Sequence, residues 1–198
     1  DTDTDTDTDT DPGPDGGPDA GEGAYYIYDD GVAENSVGLT KPGDLWWANR
    51  FIEEDGGHYI YAIEVAFGQG AQIGDSFTVG VWDDPNDDGL PLDLELVAVE
   101  TATITLAPNA NNIEYVAMSS YPAVSGSFYV GVFTTQAVGG IYPASLDQTT
   151  QEGQSWIGGA TSGMLDPDNL YNSCDVIPPA NVDNHFAGNW IIRAWGFQ

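Results

Sequence analysis

Basic residues are almost missing from this sequence. Lys41, Arg50 and Arg193 stand against 32 acidic residues, which gives a formal charge of −29. Binding to phosphate backbones draws on clusters of Lys and Arg that do not exist here, so nucleic acid is excluded as a partner and anionic membrane surfaces are disfavoured. Cysteine is equally scarce. Cys174 has no second thiol to join, so no internal disulfide forms and no two-cysteine metal site exists. The residue reads as a small buried apolar group, with an intermolecular bridge as the alternative. No run of 18 or more apolar residues occurs, so no segment reads as a membrane-spanning helix. No basic, apolar leader opens the chain either, and a secreted protein with this sequence would be in its mature form.

The usual catalytic groupings are absent as well. The two histidines lie apart, His58 beside a Gly-rich turn and His185 between Asn184 and Phe186. There is no H-E-x-x-H, G-x-S-x-G or Gly-rich phosphate loop, and paired acids arise freely when 32 are present. The expected class is non-enzymatic.

What is present begins with five Asp-Thr dipeptides over residues 1–10, followed by a Pro- and Gly-rich stretch to Gly23. Nine like charges without a base repel one another, and no apolar side chain larger than alanine or proline precedes Tyr25. Residues 1–23 therefore read as an acidic tail or linker, and 24–198 as one domain. Ordering such a tail costs about 1–2 kcal/mol of backbone entropy per residue, which only an outside contact or a covalent coat offsets. Thr2, Thr4, Thr6, Thr8 and Thr10 are spaced like the attachment points of an O-glycosylated stalk, the alternative being a plain linker.

From Ala24 onward the period is two. Tyr59, Tyr61, Ile63, Val65 and Phe67 alternate along one segment; Phe128, Val130 and Val132 do so along another, and Trp190, Ile192 and Ala194 along a third. Turn residues punctuate these runs and no long helical period appears, which predicts an all-β, two-sheet antiparallel β-sandwich of jelly-roll or Ig-like type. Ser76–Trp82 and Ser127–Phe133 echo one another, and the shared glycine is expected to make room for a large residue of the facing sheet.

The most specific motif is Asp84-Pro85-Asn86-Asp87-Asp88-Gly89 followed by Glu95, which fits the calcium-loop pattern D-x-[DN]-x-[DN]-G-x5-E. Calcium takes six to eight oxygens at roughly 2.3–2.6 Å, and alternate acidic side chains around a tight turn supply them. Asp84, Asn86 and Asp88 would give side-chain oxygens, Leu90 its carbonyl and Glu95 a carboxylate. Strands rather than helices flank the loop, so Asp93 can stand in for Glu95. The alternative is a solvated acidic turn.

Several stretches together are similar to one group of proteins: Tyr28 to Gly31, Glu34 to Ser36, Trp46 to Phe51, Val81 to Asp93, Gly126 to Val132, Ser155 to Ile157 and Gly188 to Ala194. They resemble uncharacterised secreted, jelly-roll-like β-sandwich surface modules of environmental bacteria, and the Asp-Thr run resembles their stalks. The resemblance implies an extracellular or cell-surface location and carries no activity with it.

Two functional classes follow. In the first, the domain is a self-assembling surface filament subunit: Tyr25, Tyr26, Ile27 and Tyr28 would add to the sheet edge of another copy, giving a homopolymer. In the second, it is a carbohydrate-binding or adhesion module of a larger surface protein. Adjacent strand residues face opposite ways, so Trp46-Trp47 would put one indole in the core and expose the other for sugar stacking.

Overall fold

A computed structural model describes residues 23–54, 58–109 and 111–198. The Asp-Thr threonines lie outside the described residues. In chain order the strands are β1 (Ala24–Tyr26), β2 (Asn35–Leu39), β3 (Gly43–Ile52), β4 (Tyr59–Ala66), β5 (Ser76–Asp83), β6 (Glu95–Thr103), β7 (Ile113–Ala117), β8 (Ser127–Gln136), β9 (Ile141–Asp147) and β10 (Ser155–Ala160). A single helical turn, α1 (Leu170–Ser173), precedes β11 (Ile177–Asn181), β12 (Asn189–Trp190) and β13 (Ile192–Phe197). The expected all-β class is what the chain forms, with every strand pairing antiparallel.

One layer is a six-stranded sheet in the order β11-β10-β3-β8-β5-β6. The other is assembled from two pieces, β1-β13-β4-β7 and β12-β9-β2. Residues 189–197 join these pieces: Asn189 and Trp190 pair with β9, and Ile192 onward pairs with β4. Between them Ile191 turns its backbone both ways, donating to Ser145 and accepting from Ala66 at 3.1 Å each. A bridge from Phe67 to Ala144 completes the join.

The period-two pattern explains the main core. Leu45, Trp47 and Phe51 of β3, Phe77, Val79 and Val81 of β5, and Phe128, Val130 and Val132 of β8 meet Ile63, Val65, Leu146, Trp190 and Ile192 of the opposite layer in one buried cluster. Burying a side chain of this size contributes about 1.5–3 kcal/mol.

A second buried cluster covers the outer face of the six-stranded sheet, where Trp46, Ala48, Trp82 and Tyr129 lie under Leu165 and Leu170. The covering segment is pinned by Asp44, whose Oδ2 accepts from the backbone amides of Gly163, Met164 and Leu165 at 2.6, 3.0 and 3.2 Å. Trp82 donates its indole N–H to the Pro167 carbonyl at 2.8 Å. Residues 161–170 thus give the sheet a second hydrophobic face.

That cover corrects the sugar-stacking expectation. Trp46 and Trp47 do point to opposite faces, yet both are 0 % exposed, because the outer face is roofed. Neither is a platform for a ligand. The echoed strands are corrected in a related way. They are neighbours, with Gly80 opposite Gly131. A Cβ on Gly80 would meet the Trp82 indole at 2.4 Å, and one on Gly131 would meet the Ala48 Cβ at 2.7 Å and the Trp46 Nε1 at 3.0 Å. The room these glycines make is taken by indoles of their own sheet, not by the facing one. There Trp46 and Trp82 pack edge to face at 6.1 Å.

The N-terminal strand is used within its own domain. Tyr25 and Tyr26 sit opposite Trp195 and Ala194 of β13, Tyr26 is buried against Phe51 and Phe128, and Tyr28 stacks on Phe51 at 4.8 Å. Tyr25 stacks on Trp195 at 4.0 Å. Of the four residues expected to anchor a neighbouring copy, Ile27 alone is exposed. The physical reason is simple: β13 leaves an edge free in this chain, and intramolecular pairing takes it without the entropy cost of association.

Candidate metal centre

The acidic loop is the hairpin between β5 and β6. It is held from below by Arg50 of β3, which is one of the three basic residues of the chain. Its guanidinium donates to the Ser127 hydroxyl and, at 3.2 Å, to the Gln154 side-chain oxygen. It also lies 3.8 Å from the Asp87 carboxylate. Asp87 in turn accepts from the Ser127 hydroxyl and backbone amide. The Ser127 bonds come first in holding the Asp87 carboxyl below the usual range, with Arg50 adding to them. Asp87 and Gly89 both have positive φ, 55° and 74°. A Cβ on Gly89 would come within 2.9 Å of the Arg50 guanidinium carbon, so the loop needs glycine there for conformation and for space.

On this base Asp84 faces inward. It is 3 % exposed; one carboxylate oxygen accepts from the Gly89 amide at 2.9 Å. Among the described residues the other has no partner. Burial raises the Asp84 pKa above the ordinary carboxylate value, opposed by the Gly89 bond and reinforced by Asp88. Oxygens of Asp84, Asp88 and Asp93 all lie within 4.8 Å of one another, Asp84 buried and the other two exposed. Asn86 sits among them. Its amide nitrogen donates to Asp93 at 2.8 Å and to Asp88 at 3.2 Å, while its oxygen accepts from the Asp88 amide at 3.0 Å.

The residues read from the pattern therefore divide. Asp84, Asn86, Asp88 and Asp93 converge. Glu95 opens β6 opposite Asp83 and lies outside the cluster, because a strand carries it away where a helix would bring it back. Leu90 is in the loop, with its amide donating to Asp88 at 2.8 Å. Three carboxylates and an amide within this span suit a hard, oxygen-liganded cation, and the unpartnered oxygen of a buried Asp84 is the observation that favours one over a solvated turn.

Sequence reasoning missed the supports Ser127 and Asp87, whereas Arg50, set among apolar strand residues with acids abundant, reads as an ion-pair anchor and lies against Asp87. The scarcity of bases was the available signal, since each of the two arginines, set among 32 acids, finds a partner close at hand. It also missed Tyr129, whose buried hydroxyl has no partner among the described residues. Burial and then the charge of Asp84 push that hydroxyl well above the usual tyrosine range. Cys174 is buried, and burial followed by Asp175 pushes its thiol up to about 11, which makes it inert at neutral pH.

No protein-family model matches the chain, and no curated protein is similar to it in sequence. Among solved structures, a variant of the clostridial cysteine protease Cwp84 after propeptide cleavage shares the fold. Its TM-score is 0.60 at 13 % identity, over 91 % of this chain and 41 % of that one. A second structure comprises the cysteine protease and lectin-like domains of Cwp84, a surface-layer-associated protein of Clostridium difficile. It is similar with a TM-score of 0.51 at 12 % identity, over 78 % of this chain and 32 % of that one. Identities this low show a common fold. The chain spans less than half the length of either structure. The likeness agrees with the all-β fold of this chain.

Proposed function

We propose that this domain is a carbohydrate-binding or adhesion module of an extracellular, cell-surface protein, without catalytic activity, and stabilised by one calcium ion held by Asp84, Asp88, Asp93 and Asn86. The observation that carries the reading is the fold likeness over 91 % of the chain to a surface-layer-associated protein. Of the two domains named in the second structure, we match this all-β chain, whose described residues contain one four-residue α-helix and one three-residue 3-10 turn, to the lectin-like one. The metal centre supports the same reading, since a bound cation stabilises an acidic module through mass action in a calcium-rich exterior.

The filament reading is the weaker of the two. One of its motives was a free N-terminal strand, and that strand is occupied by β13. No helix among the described residues is long and apolar enough to cross a membrane.

The test is retention of the purified protein on immobilised bacterial cell-wall polysaccharide and on a glycan array, with and without calcium, beside sedimentation velocity. Retention by a monodisperse protein is the expected result. Polymers that fail to bind any glycan would return the filament reading to first place.

A further inference from the structure

A cleft lies at the end of the sandwich away from the acidic loop. It has a volume of about 410 Å3, within the roughly 300–1,000 Å3 of small-molecule sites. Its floor is Phe67, Phe77 and Ile104, all buried, and its polar wall includes Ser76, Thr134 and Gln136. Ser76 opens β5, and Gln136 closes β8. The acidic loop leaves the other end of β5 and packs on Ser127 at the start of β8, so the two sites are separated by the length of the sheet, on the order of 20 Å for strands of this size.

Along β8 the inward positions read Phe128, Val130, Val132, Thr134 and Gln136. The first three are core, and the last two turn polar where the layers part. Gln136 is 2 % exposed. Its side-chain oxygen accepts from the Leu39 amide at 3.4 Å, but among the described residues its amide nitrogen has no partner. A buried donor pair left without an acceptor is destabilising unless something supplies one. Thr134 holds the Ser76 carbonyl only at 3.5 Å, the outer limit of a hydrogen bond. In a chain of charge −29, Asp75 is the single charged residue lining the cleft. One carboxylate is too few for a hard cation, and no base is present for an anion.

From the carbohydrate-binding reading and this lining we infer that the cleft binds the terminal ring of a neutral saccharide. Gln136 donates to a ring hydroxyl, Thr134 and Ser76 exchange hydrogen bonds with its neighbours, and the apolar face of the ring lies against the half-buried lining of Ala71, Phe133 and Ile141. A pyranose matches this wall because it presents hydroxyl acceptors around an apolar C–H face, and the site offers uncharged donors beside an apolar lining. The cleft is open to solvent on one side, which suits a chain end that continues outward. Calcium at the far loop takes no part in the contact.

The experiment titrates cellobiose, maltose and diacetylchitobiose into isotope-labelled full-length protein and maps the shifted signals by NMR. The expected result is movement of the Gln136 side-chain amide and of the backbone amides of residues 134–137, unchanged in the presence of a chelator that leaves the protein folded. Gln136→Met should weaken binding about tenfold, the loss of one hydrogen bond, and Thr134→Val should weaken it less while leaving the fold intact. Shifts confined to another surface, with both variants binding as the parent does, would overturn the cleft and leave the carbohydrate-binding reading standing. Absence of binding to these sugars together with no retention on wall polysaccharide or glycan arrays would remove both. If Gln136→Met does not fold, the shift map of the parent and the affinity of Thr134→Val decide the matter.

Discussion

Asp84 closes the acidic loop on Gly89 through one oxygen at 2.9 Å and leaves the other oxygen buried with no partner among the described residues. In the absence of a cation this is a cost, and in its presence a ligand. Calcium at a hundredfold excess over its dissociation constant contributes about 2.7 kcal/mol, which corresponds to a rise in Tm of roughly 5–10 °C for a domain of this size. Asp84→Asn keeps an acceptor for Gly89 and removes the charge. It should abolish the calcium-dependent rise without lowering the Tm of the calcium-free protein, as read by differential scanning calorimetry with and without chelator.

The pH dependence of the same effect has a definite sign. The folded-state pKa of Asp84 is raised, so the folded protein holds that proton more tightly than the unfolded chain, and ionising the group destabilises the calcium-free fold as pH rises through the carboxylate range. Calcium binds the ionised form. The calcium-dependent rise in Tm should therefore be full at neutral pH and disappear as pH falls through the raised Asp84 value. A calcium effect undiminished in acid would place the ion elsewhere.

Trp46 and Trp47 are expected to behave as core residues. Trp46→Ala and Trp47→Ala should each cost about 3–5 kcal/mol in denaturant unfolding. Under conditions where the variants remain folded, affinity for saccharide should be that of the parent. Loss of binding with stability intact would mean that an indole reaches the ligand.

Arg193 and Asp29 form the tightest ion pair of the described residues, 2.6 Å apart, with the Asp29 side chain fully buried and that of Arg193 13 % exposed. Burial works against the Arg193 charge, and the Asp29 hydrogen bonds and charge more than restore it, so its pKa is raised. Removing one partner strands the other: Asp29→Asn should cost about 3–5 kcal/mol. Asp29→Asn combined with Arg193→Met should cost less than the sum of the two. Additive losses in a double-mutant cycle would show that the residues act separately.

For the tail the expectation rests on spacing alone. In an extended chain Thr2, Thr4, Thr6, Thr8 and Thr10 recur on one face at about 6–7 Å. Native material should show the peptide that carries residues 1–10 heavier than its sequence mass by whole sugar units. An unmodified mass would leave a plain acidic linker.

Much of the fold was legible because its determinants are local. The alternation in β4, β8 and the final strands gives class and layers directly, as does the motif that places Asp84, Asn86 and Asp88 in a turn. What was not legible depends on chain segments far apart in sequence. Nothing near Trp46 tells that residues 161–170 will roof it, since the pin is a single Asp44 taking three amides about 120 positions away. Gly80 and Gly131 could be recognised as space-makers, but their occupant depends on register between β5 and β8. Gln136 ends a strand like many polar residues, and it stands out only because its buried amide nitrogen has no partner among the described residues.

Ala24 lies opposite Gly196, with β1 and β13 antiparallel. Polypeptide continuing before β1 and after β13 would therefore enter and leave side by side, at one edge of the sandwich. Such a module hangs from its parent chain as a pendant and does not lengthen it as a link would. Tension between the two attachments would meet the three-residue pairing of β1 end-on, breaking its hydrogen bonds in succession rather than together. If the proposed cleft holds a saccharide, grip and resistance to being pulled open would belong to different parts of the molecule: the first to the start of β5 and the end of β8, the second to a short seam where Tyr25 stacks on Trp195.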